Sequence, residues 1–466
     1  MLFILMDDMG WRDIGCAGSE FYETPNLDRL AAQGTRFTQA SAACPVCSPT
    51  RASILTGKYP ARLGVTDWID HWGFHPCRGA VVDAPYVKRL DLAEHSLARA
   101  LKAGGYATWH VGKWHLGLEP YWPEHHGFDV NIGGCQMGSP SHGYFSPWSI
   151  PTLPDRIPGE YLPDRLADEA LALIDNRDRA RPFFLNFWDY CVHTPIQAKP
   201  EKIEKYRRKA AALGLDRVAP FVEGEHFPSE HKRAERVRRR VVQSDPAYAA
   251  MIESVDENIG RLLAKLDEHG IADNTLVIFT SDNGGLSTAE GSPTCNAPLS
   301  EGKGWLYDGG TREPLIIRLP SDSAAAAGAT PAPARLCHEP VTSTDFYPTI
   351  LEAAGLAPIP EQHADGVSLM PLLRGDASFK RGAIFWHYPH YGNQGGTPGS
   401  SVRDGDWKLL EFFEDNRLEL YNLRDDPGET QNLAVARPDI ASRLRAILHD
   451  WRIEVGAKIP ERNAMW

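Results

Sequence analysis

The chain has 466 residues, of which 42% are hydrophobic, and it carries 49 basic against 61 acidic side chains, for a net charge of −12. This length allows one very large domain or two to three ordinary ones around a sizeable core. The acidic balance disfavours nucleic acid as a partner, because the protein repels polyanions at long range. The sequence contains no apolar run long enough to span a membrane. Its eight cysteines are too few for a disulfide framework in a chain of this length and are expected to be mostly buried thiols. One or two disulfide bonds are compatible with the sequence.

Strands and helices alternate through the first two-thirds of the chain. Leu2–Met6 is fully apolar and predicts a buried strand, and the next segment, with Pro25 at its start and Gly34 after its end, predicts a helix. The further predicted elements are helices at 49–56 and 95–103, a strand at 106–111, a helix at 166–174, a strand at 182–188, a helix at 248–268 and a strand at 275–280. This alternation predicts an α/β fold with a mostly parallel central sheet flanked by helices.

The pattern changes near residue 385. Residues 401–413 and 417–423 flank Glu414-Asp415-Asn416 and predict an antiparallel hairpin, and residues 440–455 predict a terminal helix. We therefore predict a catalytic domain over residues 1–375 and a smaller α+β subdomain, with an antiparallel sheet, over residues 376–466. Residues 324–334, rich in Ala and Pro, are predicted to form a surface loop. The basic run 231–240 predicts a solvated helix face, with a polysaccharide-binding patch as the alternative.

Polar pairs follow two of the apolar strands. Asp7-Asp8 comes directly after Leu2–Met6, and Asp282-Asn283 comes just after the strand predicted at 275–280. Open α/β sheets bind ligands at the carboxyl edge of their strands, so these pairs are expected to converge. An all-oxygen set suits a hard divalent cation and argues against zinc. Each pair taken alone is as typical of carboxylates that cap loops.

Cys47 begins the most informative segment. Pro49 lies early in the predicted helix, so Cys47 is expected at the helix N-terminus, where the dipole and nearby Arg51 favour negative charge. A thiol in this position is predicted to be reactive, with a lowered pKa, although a structural cysteine near a helix cap is an equal alternative. The spacing to Cys44 also fits a redox or zinc pair only weakly, because no second pair accompanies it.

Two further positions suggest an anion site. Lys113 and His115 follow the strand predicted at 106–111, and their i, i+2 spacing in extended chain points both to one side, within reach of one oxyanion. The alternative for such loop residues is simple solvation. For His193, which follows the strand predicted at 182–188, the alternative is a hydrogen-bonded loop histidine.

The Cys47 segment carries a family resemblance. Cys47-Ser48-Pro49-Thr50-Arg51, continued by Ala-Ser-Ile-Leu-Thr-Gly, resembles the signature of the type I sulfatases, and the other motifs follow in the family's order over nearly the whole chain. The resemblance implies an alkaline-phosphatase-like fold and hydrolysis of sulfate monoesters. It also implies that a separate maturation enzyme oxidises Cys47 to formylglycine.

The resemblance further implies the roles of individual residues. It places Arg51, Lys113, His115 and His193 in the active site and makes Lys303, in Glu-Gly-Lys-Gly, the sulfate-binding lysine. It implies calcium, with magnesium as the alternative, held by Asp7, Asp8, Asp282, Asn283 and residue 47. In the implied mechanism the hydrated aldehyde attacks sulfur, His193 protonates the leaving alcohol, and His115 removes the proton of the remaining hydroxyl while sulfate is expelled.

The substrate is indicated only by composition and similarity. Segments 66–73 and 386–399 are aromatic, polar and glycine-rich, as carbohydrate pockets are, with a packed subdomain interface as the alternative. Both are similar to segments of bacterial sulfatases that act on polysaccharides, so we expect the substrate to be a sulfated carbohydrate, with a galactose-type sugar as the first expectation. His387 and His390 are the expected sugar contacts. The resemblance implies a periplasmic or secreted location, and a cytoplasmic location is the alternative.

Three other functions share some of these sequence features. Phosphonate monoester or phosphodiester hydrolases of the same superfamily share the formylglycine motif. Relatives of alkaline phosphatase use a Ser or Thr nucleophile with two metal ions. The cysteine at position 47 argues against membership of that group. A non-catalytic glycan-binding relative is disfavoured because the whole set of expected catalytic residues is present.

Overall fold

The computed structural model describes the chain except for residues 72, 74–77, 322–334 and 377. The surface loop predicted at 324–334 therefore lies outside the described residues, as do Trp72 and Cys77. Among the described helices, none combines the length and apolar character that a membrane crossing requires. The described cysteines are all free thiols.

An eight-stranded sheet forms the centre of the molecule. In spatial order its strands are β12 (Arg335–Cys337), β2 (Thr35–Phe37), β11 (Leu315–Arg318), β10 (Val277–Ser281), β1 (Leu2–Met6), β7 (Phe183–Trp188), β5 (Ala107–Gly112) and β6 (Val130–Ile132). β1 pairs in parallel with both β10 and β7, while β11 runs antiparallel to its two neighbours. The predicted α/β class with a mostly parallel sheet is confirmed.

Helices cover both faces of this sheet. The described helices of the whole chain are α1 (Pro25–Gln33), α2 (Cys47–Thr56), α3 (Pro60–Leu63), α4 (Leu97–Ala103), α5 (Leu162–Asp175), α6 (Pro200–Ala212), α7 (Pro246–Glu268), α8 (Asp308–Thr311), α9 (Phe346–Ala353), α10 (Met370–Arg374) and α11 (Pro438–Glu454). Single turns of 3₁₀ helix lie at Gly15–Ala17, Pro123–His126, Leu215–Arg217, Glu230–Lys232, Ala272–Asn274 and Ser343–Asp345. Alternate residues of β1 enter opposite cores: Leu2, Ile4 and Met6 pack with α1, α5 and α7, and Phe3 and Leu5 pack with α2, α4 and α9. Because β1 is buried on both faces, its sequence is continuously apolar.

A second, antiparallel sheet lies in the C-terminal part. Its strands, in order, are β14 (Ile384–Tyr388), β15 (Gly399–Asp404), β16 (Trp407–Phe412) and β17 (Leu418–Asn422). One face packs on α11, and the other contacts Cys44 and Val46, immediately before α2. Smaller strand pairs are β3 (Ala40–Ser41) with β13 (Val341–Thr342), β4 (Val81–Val82) with β18 (Glu461–Arg462), and β8 (Phe221–His226) with β9 (Arg236–Arg240). The expected antiparallel sheet and terminal helix are present, and the boundary between residues 375 and 376 stays a prediction.

Two local predictions were wrong. The stretch 401–413 is not one strand but parts of β15 and β16, because the chain reverses at Gly405, whose φ of 61° is left-handed. The basic run 231–240 is not a helix face: Arg236–Arg240 is a strand of the β8–β9 hairpin, with only Val237 and Arg240 of that strand buried. The helix at Pro200–Ala212 was not predicted.

Candidate active site

The polar pairs that follow β1 and β10 meet at the carboxyl edge of the sheet. Met6 pairs with Ser281 in parallel register, so Asp7 and Asp282 leave adjacent strands side by side. The backbone N–H of Asp8 donates to Asp282 Oδ1 at 3.2 Å, and Asn283 Nδ2 donates to Asp8 Oδ1 at 2.8 Å. Asp8 has a left-handed φ of 62°, a conformation that costs a non-glycine residue free energy and is found at functional sites.

Oxygen atoms of this cluster are available to a cation. Asp7 Oδ1 and Asn283 Oδ1 are buried and have no hydrogen-bond partner among the described residues. Burial, followed by the neighbouring carboxylate of Asp282, raises the pKa of Asp7 to about 8, against the opposing charges of Lys113 and Arg51, so a bound cation would further favour its ionised form. Hard oxygen donors with open valences fit a calcium- or magnesium-type ion. The donor set therefore fits the divalent cation that the sequence predicts.

Three buried cations face the three carboxylates. Arg51, on α2, donates from Nε to Asp282 Oδ2 at 2.8 Å, Lys113 pairs with Asp7, and Lys303 Nζ lies 2.8 Å from Asp8. All six side chains are at most 4% exposed. Buried charges of this kind persist when they are paired. Because the side-chain charges cancel, a bound divalent cation would leave the site positive, which favours an incoming anion.

Cys47 is the first residue of α2, as its motif predicts, and is only 2% exposed. Its Sγ lies 3.4 Å from Nδ1 of His115, whose Nε2 lies 2.9 Å from the carbonyl oxygen of Ile69. The prediction of a lowered thiol pKa was wrong. Burial raises the pKa of Cys47, and the carboxylates of Asp7 and Asp282 add to this effect, against Lys113 and Lys303.

His193 lies beside Asp8 in the same group of side chains. Its Nε2 lies 3.6 Å from Asp8 Oδ2, and its Nδ1 lies 2.8 Å from the carbonyl oxygen of Thr194. Burial and then the charge of Lys303 lower the pKa of His193 to about 4. Within the described part of the chain, Asp7, Asp8 and His193 each offer one ligand atom within 4.8 Å of the others.

A cavity of about 270 Å³ opens onto this group. Its floor is formed by Cys47, His115, His193 and Lys303. Its walls include Trp68, Ile69 and His71 from the first aromatic segment, and Asn393 and Gln394 from the second. The volume lies just below the usual range of small-molecule pockets, about 300–1,000 Å³, and is enough to hold one sugar unit.

The two predicted sugar contacts do not lie in this cavity. His387 is 3% exposed, and its ring nitrogens lie 2.7 Å from Ser400 Oγ and 2.9 Å from the carbonyl oxygen of Lys458. His390 is fully buried, with Nε2 2.9 Å from Thr66 Oγ1. Both histidines are internal hydrogen-bonding residues, so the prediction is corrected: Asn393 and Gln394 of the same segment reach the cavity instead.

Sequence reasoning also missed wall residues outside these segments. Gln136 and Glu290 line the cavity, but neither belongs to a motif or comes directly after a predicted strand. Gly138 also lines the cavity, and a side chain at this position would clash with His115, because a Cβ would lie 2.5 Å from its Cε1. No signal in the sequence pointed to these loops.

Comparison with known proteins establishes the family. The family model described as "Sulfatase" matches residues 1–356, and the model described as "N-sulphoglucosamine sulphohydrolase, C-terminal" matches residues 302–453. The chain belongs to the sulfatase family, and like its relatives it is a sulfuric ester hydrolase. The predicted family is thereby confirmed.

Individual relatives cover most of the chain. A sulfatase of Formosa agariphila is 30% identical over 98% of this chain and 89% of its own length. The human N-acetylgalactosamine-6-sulfatase is 31% identical over 96% of this chain and 84% of its own length. The crystal structure of Ps i-CgsB in complex with k-i-k-neocarrahexaose superposes with a TM-score of 0.74 at 25% identity, covering 97% of this chain and 92% of that one. Such neighbours confirm the alkaline-phosphatase-like fold.

Proposed function

We propose that this protein hydrolyses a sulfate monoester on a carbohydrate, with a galactose-type sugar as the first expectation. The observation that carries the proposal is the cavity whose floor holds Cys47, His115, His193 and Lys303 directly above a buried cluster of oxygen ligands. The nucleophile is formylglycine, derived from Cys47, and the cofactor is one divalent cation, calcium before magnesium.

The cation is proposed to bind the carboxylates of Asp7, Asp8 and Asp282, the amide oxygen of Asn283 and the oxygen of modified residue 47. The unpartnered oxygens Asp7 Oδ1 and Asn283 Oδ1 support this set. When bound, the ion would polarise a sulfuryl oxygen and the attacking hydroxyl. Formylglycine would supply that hydroxyl as its hydrate.

The chain's own residues then divide the remaining tasks. Arg51, fixed on Asp282, and Lys113, paired with Asp7, hold the carboxylates and neutralise their charge. Burial favours the neutral amine of Lys303, but the negative groups around it, Asp8 first and then others including Glu290 and Asp7, together outweigh burial and raise its pKa. Lys303 therefore enters the cavity as a cation that can hold a sulfuryl oxygen. Preorganised charge of this kind is usually the largest catalytic contribution.

The two histidines are proposed to move protons. His193 lines the cavity, with its Nε2 3.6 Å from Asp8 Oδ2, and is the proposed general acid for the leaving alcohol. His115 lies 3.4 Å from the Cys47 sulfur, within reach of the group that replaces it, and is the proposed base for release of sulfate. Its left-handed φ of 58° is the kind of strain found at functional sites.

Carbohydrate specificity is supported by relatives and by the cavity. The human relative is named for a galactosamine sulfate, and the structural neighbour was solved with a neocarrahexaose. Trp68 and His71 offer rings at the cavity wall, where an apolar sugar face can stack. We further propose, from the family resemblance, a formylglycine-generating enzyme as partner and a periplasmic or secreted location.

The test is a panel of sulfated mono- and oligosaccharides, with an aryl sulfate and a phosphorylated ester of the same alcohol. We expect turnover of at least one sugar sulfate, highest among galactose-type sugars. Faster hydrolysis of the phosphorus ester would favour the phosphonate or phosphodiester hydrolase instead. Tight binding of sulfated sugars without hydrolysis, in protein shown to contain formylglycine, would favour a glycan-binding role.

A further inference from the structure

Glu290 places a carboxylate on the wall of the active-site cavity. It lies in the loop after β10, with a left-handed φ of 53°, and its side chain lines the same space as His193 and Lys303. Its Oε1 accepts hydrogen bonds from Asn393 Nδ2 at 2.9 Å and Gln394 Nε2 at 3.0 Å. The contact joins the loop after β10 to the segment between β14 and β15.

The partners of Glu290 are themselves fixed. Lys232 Nζ donates to Asn393 Oδ1 at 2.7 Å and to its carbonyl oxygen at 2.9 Å. Trp305 Nε1 donates to the carbonyl oxygen of Gln394 at 3.0 Å. Gly304, with a φ of 81°, leaves room for this arrangement, since a Cβ there would lie 2.6 Å from Gln394 Oε1. The carboxylate of Glu290 is therefore preorganised rather than free to turn.

One oxygen of this carboxylate remains available to a ligand. Among the described residues, Glu290 Oε2 has only the hydroxyl of Thr194, at 3.5 Å, as a hydrogen-bond neighbour. Thr194 follows His193, the proposed acid for the leaving oxygen, so Glu290 lies on the leaving-group side of the site. Two further amide oxygens, Gln394 Oε1 and Gln136 Oε1, belong to residues of this wall and are buried without a hydrogen-bond partner in the described part of the chain.

We propose that Glu290 determines substrate specificity. Its Oε2 accepts a hydrogen bond from a sugar hydroxyl close to the sulfated carbon, and its charge disfavours a second sulfate or a carboxylate at that place. The site thus selects a neutral sugar that bears a single sulfate. The inference rests on the proposed function, because it needs a sugar sulfate in the cavity.

The test compares Glu290→Gln with the wild type on matched substrates. They are a neutral sugar monosulfate, deoxy analogues that each lack one hydroxyl near the sulfate, a disulfated analogue, and an aryl sulfate. Glu225→Gln is the control variant, since Glu225 is an exposed carboxylate of β8 that is not part of the cavity lining. A hydrogen bond to a charged group corresponds to a change in kcat/KM of about ten- to a hundredfold.

We expect Glu290→Gln to lower kcat/KM on the sugar monosulfate by about ten- to a hundredfold. This factor should be at least about ten times the factor by which the substitution lowers kcat/KM on the aryl sulfate. For the wild type, kcat/KM on one deoxy analogue should fall by the same factor relative to the complete sugar monosulfate. For the variant, removing that hydroxyl should lower kcat/KM little further, because the substitution and the deoxy change remove the same hydrogen bond. The ratio of disulfated to monosulfated turnover should rise in the variant. Glu225→Gln should match the wild type on every substrate.

Equal losses on the sugar and aryl sulfates would overturn the inference, since they would make Glu290 a structural residue of the wall. So would a wild-type preference for the disulfated sugar. If the wild type hydrolyses the aryl sulfate but no sugar sulfate, the carbohydrate function fails and the inference fails with it, an outcome distinct from a variant with no selective effect.

Discussion

Lys303 Nζ lies 2.8 Å from the carboxylate of Asp8, and both side chains are buried. Lys303 also lines the cavity, so its charge is held by one carboxylate next to the space that a ligand would enter. This pairing places a fixed cation beside the thiol of Cys47 and gives the first prediction.

Replacing Lys303 with Ala should lower kcat on a sulfate ester on the order of a hundredfold or more, because a charge-stabilising donor in the transition state is lost. Steady-state kinetics measures the effect, and circular dichroism checks the fold. Lys102→Ala, which removes an exposed lysine paired with Asp129 at 2.6 Å, is the control and should retain wild-type activity. Activity of the Lys303 variant within a few-fold of wild type would remove Lys303 from the site.

Asn283→Ala should weaken binding of calcium at least about tenfold, because loss even of an outer-shell partner of a metal site costs that much. Isothermal titration calorimetry of protein stripped with a chelator measures the affinity, and elemental analysis should find one divalent ion per chain. Asn131→Ala, at a site bonded to Glu124 at 2.7 Å, is the control. Two ions per chain, or zinc in active protein, would contradict the proposal.

Active protein should carry formylglycine at position 47. A thiol has no second hydroxyl through which the sulfated intermediate can collapse, so Cys47→Ala should be inactive whatever the maturation. Mass spectrometry of the tryptic peptide from protein made with a maturation enzyme should show the aldehyde. Cys44→Ala, at the neighbouring buried thiol, should still be modified and active. Full activity in protein that contains only unmodified Cys47 would refute the mechanism.

Lys408→Met should destabilise the protein by about 3–5 kcal/mol, because it leaves two buried carboxylates without their shared cation. Lys408 Nζ lies 2.8 Å from Asp308 and 2.9 Å from Glu429, with side chains at most 2% exposed, and so ties β16 to α8. Urea unfolding measures the change. Lys380→Met, at a pair whose lysine is 73% exposed, should change the free energy of unfolding by about 1 kcal/mol or less. Equal effects of the two variants would contradict this account.

The sequence was most informative where a local pattern carries a global consequence. The apolar runs before Asp7 and Asp282 predict buried strands, and parallel strands present their ends at one edge, so the convergence of these residues followed without coordinates. The helix predicted at 49–56, from Pro49 near its start and Gly57 after its end, matches the end of α2 and lies two residues inside its start at Cys47.

Other features depend on the environment rather than on the neighbours in sequence. The pKa of Cys47 is set by its burial more than by its place on the helix, and burial depends on the surrounding packing. The wall residues Glu290 and Gln394 meet through loops distant in the chain, so no spacing predicts their contact. His390 was misjudged because aromatic and polar composition does not distinguish a pocket from a packed interface.

The buried position of Cys47 has a consequence for the order of events in biosynthesis. In the folded chain, which includes the pairing of β1 with β10, Cys47 is only 2% exposed on the floor of a cavity of about 270 Å³, which leaves a second protein little access to it. That pairing requires the ribosome to have synthesised the chain through Ser281, which at about 5–20 residues per second leaves an interval of roughly ten to fifty seconds after Cys47 is made. Under the proposed mechanism, modification and folding therefore compete for the same nascent chain, and a host that folds this protein faster than it oxidises Cys47 would accumulate a stable but inactive enzyme.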